Sequence, residues 1–180
     1  MVDKSMKVVV LTGPESSGKS WLAGEIRAHF GGVLVGEYVR DFIDQQQRDT
    51  CYADIPHIAQ GQLDHEDAAR ADAPQLLILD THLLSNRLWS LTLFGDCPAW
   101  LEPALLARRY DLHLLLDPTG VEWVDDGQRC QPQLAARQAF FADTQRWLDR
   151  HQQAYQVIRG DWQQRRELAF AAVNGLLHGN

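Results

Sequence analysis

An apolar run that ends in Gly13-Pro14-Glu15-Ser16-Ser17-Gly18-Lys19-Ser20 leaves this chain few folds to adopt. Lys7 to Thr12 carries Val8, Val9, Val10 and Leu11 in succession, which reads as a strand covered on both faces. Lys19 to Phe30 places Leu22, Ile26 and Phe30 on one helical stripe, and Gly31-Gly32 end it. A Gly-x-x-x-x-Gly-Lys-Ser loop between a strand and a helix is the context in which this motif cradles phosphate. Gly13 and Gly18 allow backbone angles that a side chain would forbid, so the loop can curl with its N–H groups inward. The helix start adds unpaired donors and a positive dipole end. Pro14, Glu15, Ser16 and Ser17 complete the cradle, Lys19 is expected to reach the β- and γ-phosphates of ATP, and the Ser20 hydroxyl is expected to ligate Mg²⁺. A chance match to the four fixed positions in a chain this long is on the order of one in a hundred.

The rest of the chain repeats the strand–helix alternation. Strands are predicted at Val33 to Val35, Leu76 to Asp80, Leu112 to Leu116 and Tyr155 to Arg159. Helices are predicted from about Asp54 to residue 72, from Thr81 through Phe94, from Trp100 to Arg109, from about Gln133 to Gln153, and after Trp162. Leu84, Leu88, Leu91 and Leu93 are core candidates of the helix after the third strand; Leu134, Phe141, Leu148, Leu168, Val173 and Leu176 are those of the last two. This pattern predicts an α/β fold of the P-loop NTPase type, with a parallel five-stranded sheet sandwiched by helices.

Ligands of such sheets sit beyond the carboxyl ends of the strands, so residues just past those ends are the next candidates. Glu37, Tyr38, Arg40 and Asp41 follow the second strand: an acid there can accept a proton from a substrate hydroxyl, and Arg40 can orient it. A charged helix N-terminus would use the same letters. Asp80 closes an aliphatic strand as a Walker-B acid does, which makes it the partner of Ser20 in holding Mg²⁺. His82, two residues on, reads as a neighbour of the metal or substrate, or as a polar helix cap. Gln62 and Glu66 fall on an otherwise apolar stripe and read as substrate-side residues or as the end of a buried face. Trp89, Tyr38 and Trp123 can each stack on a planar ring. Between the fourth strand and the next helix lies Val121-Glu122-Trp123-Val124-Asp125-Asp126-Gly127-Gln128-Arg129, polar enough to serve as a lid over residues about 118–132. Arg129, and Arg137 after it, would stabilise charge on a transferring phosphoryl group. Gly160 and Trp162, after the fifth strand, share the sheet edge of the P-loop and are candidates for contact with adenine.

Length and composition bound the partners. The 180 residues suggest one domain, residues 1–180. The net charge of −7 argues against nucleic-acid or membrane-surface binding. Cys51, Cys97 and Cys130 lack metal-ligand spacing and read as reduced thiols. The opening apolar run is too short for a signal peptide and no stretch approaches a membrane helix, so a cytoplasmic location is expected. The sequence leaves the oligomeric state and the choice of ATP over GTP open.

GPESSGKS, EYVRDF, LILDTHLL, WVDDGQR and IRGDW occur in the order and spacing of a known family: the chain resembles the ribosylnicotinamide kinase domain of bifunctional NadR proteins from Lys7 to about Val173. The resemblance implies ATP- and Mg²⁺-dependent phosphorylation of the ribose 5′-hydroxyl of nicotinamide riboside, giving nicotinamide mononucleotide for NAD salvage. It assigns residues Gly13 to Ser20 to the phosphates, Asp80 to Mg²⁺, Glu37 and Arg40 to the substrate side, and Asp125, Asp126 and Arg129 to the lid. With Lys19, Glu37 and Arg129 as the catalytic group, Tyr38, Asp41, Trp89, Asp125 and Asp126 complete the expected acceptor side. Three departures stand out. Trp21 replaces the family's usual Thr, and His82 stands where the family often reads a second Asp. The DNA-binding and adenylyltransferase domains that precede the family's kinase are not seen upstream here, so repressor and adenylyltransferase functions are not expected. A kinase for another nucleoside or small alcohol, or a regulatory ATP-binding module, are the alternative expectations.

Overall fold

The computed structural model describes residues 5–179. Its five strands, β1 (Lys7–Thr12), β2 (Val33–Val35), β3 (Leu76–Asp80), β4 (Leu112–Leu116) and β5 (Tyr155–Ile158), form one parallel sheet in the order β2-β3-β1-β4-β5. Aliphatic side chains alternate between its two faces. Val8, Val10, Leu77, Leu79 and Leu115 enter one core, while Val9, Leu11, Leu76, Ile78, Leu114 and Leu116 enter the other. Continuous apolar strands are what a sheet with helices on both faces requires.

Helices α1 (Lys19–Phe30) and α7 (Trp162–His178) cover the second face; α3 (Ile55–Ala71), α4 (Leu83–Phe94), α5 (Leu101–Leu106) and α6 (Leu134–Arg150) cover the first. Between β2 and α3 lie α2 (Tyr38–Gln46) and a 3₁₀ turn, Tyr52–Asp54. No strand or helix occurs in 117–133, the stretch expected to be a lid. Among the described residues, no helix is long and apolar enough to cross a membrane.

Several core expectations need correction. Leu91 and Leu93 are 37% and 47% exposed, because the α4 stripe that meets the sheet runs through Leu84 and Leu88. Leu134 and Leu168 are also exposed, because their helices bury Phe140, Thr144, Trp147 and Leu148, and Arg165, Ala169 and Val173. Strand β5 ends at Ile158, one residue before the expected boundary.

Candidate functional site

The sheet order places β1 and β3 side by side, so the P-loop and Asp80 emerge at the same edge. Leu11 and Asp80 are register partners, and the Thr81 N–H donates to the Leu11 carbonyl. Ser20 Oγ then donates to Asp80 Oδ2 at 2.6 Å. Thr81 turns there with φ +69, an unusual angle for a β-branched residue and a point of local strain beside the acid. The other carboxylate oxygen, Asp80 Oδ1, is buried with no hydrogen-bond partner among the described residues. Two hard oxygen donors, one with an unused buried lone pair, fit Mg²⁺ shared with phosphate oxygens and water.

Gly18, with φ +90, starts α1; a Cβ there would lie 2.6 Å from the Trp162 ring, so only hydrogen lets the indole close against the loop. Trp162 in turn meets Trp21 edge to face at 4.8 Å. Lys19 Nζ donates to the Gly13 and Pro14 carbonyls at 3.1 and 2.6 Å. Burial holds the Lys19 ammonium below its ordinary pKa, against the opposing pull of Glu37 and Asp80. Burial likewise pushes the Glu37 carboxyl above its ordinary value, and Lys19 opposes that shift.

These groups line a cleft of about 500 Å³. One wall is the P-loop with Trp21; another is Glu37, Val39, Arg40 and Ile43 at the start of α2. Ile55 and Ile58 of α3 face α4, which contributes Ser85, Asn86, Trp89 and Leu93, and Gln128, Arg129 and Cys130 close the cleft from the lid. Arg40 ties the α2 wall to the lid segment, with Nε 3.2 Å from Glu37 Oε2 and Nη1 2.9 Å from Asp126 Oδ2. Trp89 also leans on Phe140, 4.8 Å between ring centres.

Several expected acceptor residues lie elsewhere. Tyr38 packs its ring against Gly61 and edge-on to His65, and Asp41 is exposed, so neither lines the cleft. The reason is helical: α2 begins at Tyr38 and turns Val39, Arg40 and Ile43 inward, leaving positions 38 and 41 on another face. Asp125 and Asp126 do not line it either. Asp125 accepts the Gly127 N–H, and Asp126 accepts those of Gln128 and Arg129, so both carboxylates fold the lid turn. Arg137 is buried behind the lid, with Nη1 at 3.4 Å from the Ser16 carbonyl and 3.3 Å from that of Val121. It braces the P-loop from below rather than facing the cleft. Trp123 directs its indole N–H at Glu15, 3.0 Å away.

His82 is fully buried and absent from the cleft wall. It occupies the N-cap of α4 without a side-chain cap bond, edge-on to Tyr110, with Nε2 3.2 Å from His113 Nε2. His113 Nδ1 faces the Ala154 carbonyl at 3.1 Å and so carries its proton; its Nε2 then accepts from His82. Burial holds both imidazoles below the ordinary value, His113 at about 4. Gln62 and Glu66 are also structural. Gln62 accepts the Tyr38 N–H at 2.9 Å, fixing the turn after β2, while Glu66 gathers Arg70, Arg108 and Tyr110.

Sequence reasoning missed Arg165, which is 1% exposed and donates to the carbonyls of Gly160, Asp117, Thr119 and Ser17. It also missed Ser85 and Asn86, polar residues one turn before Trp89.

Comparison with known proteins agrees with this fold. The family model for an AAA domain matches residues 8–165. The trifunctional NAD biosynthesis/regulator protein NadR of Salmonella typhimurium is 27% identical over 139 residues, covering 75% of this chain and 34% of the relative. The chain thus spans about a third of the length of that curated relative. Among solved structures, a NadR protein in complex with NR superposes with a TM-score of 0.82 at 23% identity, covering 97% of this chain and 52% of the other. Deoxyadenosine kinase from M. mycoides with bound dATP gives 0.64 at 14% identity, covering 93% and 99%. The shared fold is that of P-loop nucleoside and nucleotide kinases.

Proposed function

This chain belongs to the AAA-domain family, and from that premise we propose that it is an ATP- and Mg²⁺-dependent kinase acting on the ribose 5′-hydroxyl of nicotinamide riboside. The observation that carries the reading is that Lys19, the Glu37–Arg40 pair and Arg129 line one cleft. A triphosphate on the P-loop would present its γ-phosphoryl group to an acceptor held against α2 and α4. The resemblance of the motifs and the overlap with NadR support nicotinamide riboside as that acceptor.

Phosphoryl transfer asks mainly for positioning and charge stabilisation. Lys19 would leave its carbonyl partners for phosphate oxygens, and Arg129 would face the group in transit. Glu37 would take the hydroxyl proton as the oxygen attacks phosphorus, and Arg40 would hold its carboxylate in place. The raised pKa of Glu37 suits a base: turnover should fall as pH drops through a value above the ordinary carboxylate range. Ser20 and Asp80 would hold Mg²⁺, which when bound offsets charge on the β- and γ-phosphates. Of Tyr38, Trp89 and Trp123, Trp89 lines the cleft, alongside Trp21 and Phe94, and would cover the acceptor's ring.

The test is ADP release with ATP and Mg²⁺, alone and with nicotinamide riboside, uridine, cytidine or thiamine. Strong stimulation by nicotinamide riboside, with nicotinamide mononucleotide as product, is expected. Stimulation by another nucleoside alone would replace the acceptor and keep the kinase; tight ATP binding with no stimulation by any acceptor would favour a regulatory module.

A further inference from the structure

Glu15 stands in the middle of the phosphate-binding loop, yet its carboxylate serves the lid. Oε1 accepts from Trp123 Nε1 at 3.0 Å and from the Gln131 N–H, and Oε2 accepts from the Cys130 N–H at 3.2 Å. Next to it, Ser16 Oγ accepts the Val124 N–H at 3.3 Å. The lid's outgoing limb (Trp123, Val124) is thereby tied to Glu15 and Ser16, and its returning limb (Cys130, Gln131) to Glu15. Arg129 is strung between these ties and lines the cleft. Its guanidinium is held locally, by a hydrogen bond to the Val124 carbonyl and an ion pair with Asp126.

A carboxylate in a loop that receives polyphosphate raises the electrostatic cost of binding. Three N–H donors from the lid spread that negative charge, and they do so only when the lid is down. Phosphate binding and lid closure then favour each other, as linkage requires. We propose that Glu15 is a positioning residue, a latch whose carboxylate gathers both lid limbs and sets Arg129 over the P-loop. The role given to Arg129 rests on the kinase reading above; the latch itself does not.

Trypsin can read the latch without any turnover. Cleavage after Arg129 leaves a new N-terminus at Cys130, and its rate follows lid opening. Glu15→Ala should raise that rate about ten-fold or more, the scale of losing hydrogen bonds to one charged acceptor. Glu15→Gln, which keeps a neutral acceptor oxygen, should fall between. AMP-PNP with Mg²⁺ should slow the cut strongly in the unmodified protein and far less in Glu15→Ala. A cut no faster in Glu15→Ala than in the unmodified protein overturns the proposal. Should Glu15→Ala fail to fold, Trp123→Phe removes one tie, and an unchanged rate there is equally fatal. In the ADP-release assay, Glu15→Ala added to Arg129→Ala should lower kcat by less than about two-fold further. A full multiplicative loss would show that Glu15 does not act through Arg129. Absence of turnover in the unmodified protein would overturn the kinase reading while the trypsin result still decides the latch.

Discussion

Replacing Arg165 by Met should destabilise the protein out of proportion to its distance from any reacting atom. The guanidinium is 1% exposed, with Nε 2.7 Å from the Gly160 carbonyl, Nη1 2.9 Å from that of Asp117 and Nη2 3.0 Å from that of Thr119. A longer contact of 3.4 Å reaches the Ser17 carbonyl. One side chain thus joins the chain just beyond β4, the turn after β5 and the P-loop. Burial lowers its pKa and Asp117 opposes that shift. Three good hydrogen bonds from a charged donor are worth about 5–9 kcal/mol gross at roughly 1.5–3 each. Met removes them and leaves the carbonyls without this donor, but it also relieves several kcal/mol of guanidinium desolvation. The net is about 3 kcal/mol. At roughly 2–4 °C per kcal/mol for a domain of this size, Tm should fall by about 6–12 °C in scanning calorimetry. The urea midpoint should fall with an unchanged m value. Arg165→Lys, a point charge that cannot reach three carbonyls at once, should lie between. A drop below about 2 °C for Arg165→Met would refute the strap.

Other substitutions test other parts. Lys19→Ala should cut phosphoryl transfer by several hundred-fold or more, on the scale of roughly 10³–10⁵ for single charged groups at such sites; near-full turnover would sink the P-loop assignment. Gly13→Ala would force φ +130 on a residue with a side chain and set its Cβ 2.8 Å from the Leu116 carbonyl oxygen. It should lower stability by about 3 kcal/mol in urea titrations, since the buried end of β4 cannot retreat from the loop. His113 is held at about 4 against an ordinary 6.5, so the unfolded chain binds more protons between those values. The stability it contributes is complete above pH 6.5 and is lost as pH falls towards 4, about 3 kcal/mol in all. His113→Leu should flatten that part of the pH–stability curve, and an unaltered slope would refute the buried neutral pair.

The sheet and the P-loop were legible because their signals are local. Runs such as Val8-Val9-Val10-Leu11 and Leu76-Leu77-Ile78-Leu79 suit only a strand buried on both faces, and β1 to β4 take their predicted bounds. The short helix α2 was harder. Its nine residues carry three charges and no fully buried side chain, so its start after Glu37 could not be separated from a loop, and Tyr38 and Asp41 could not be told apart from Glu37 and Arg40, which line the cleft. The side-chain role of Glu15 was out of reach, because its partners lie 108 to 116 residues away.

Polar residues on apolar stripes formed a signal the sequence did offer. Gln62 and Glu66 interrupt the buried face of α3, Arg137 shares a face of α6 with Phe140 and Thr144, and Arg165 precedes Ala169 and Val173 on α7. A stripe position faces the sheet, so a polar group there must find a partner or forfeit its hydration. Near the carboxyl ends of parallel strands the available partners are strand-end and loop carbonyls, since the ladder no longer uses them. That is where Arg137 meets the Ser16 and Val121 carbonyls and where Arg165 meets those of Ser17, Asp117, Thr119 and Gly160. Read this way, a stripe arginine in an α/β chain points to the loops that need holding rather than to the substrate. Arg129, by contrast, lies on no stripe. It sits in a segment without helix or strand and lines the cleft, where a loop residue is freer to move than the elements it joins.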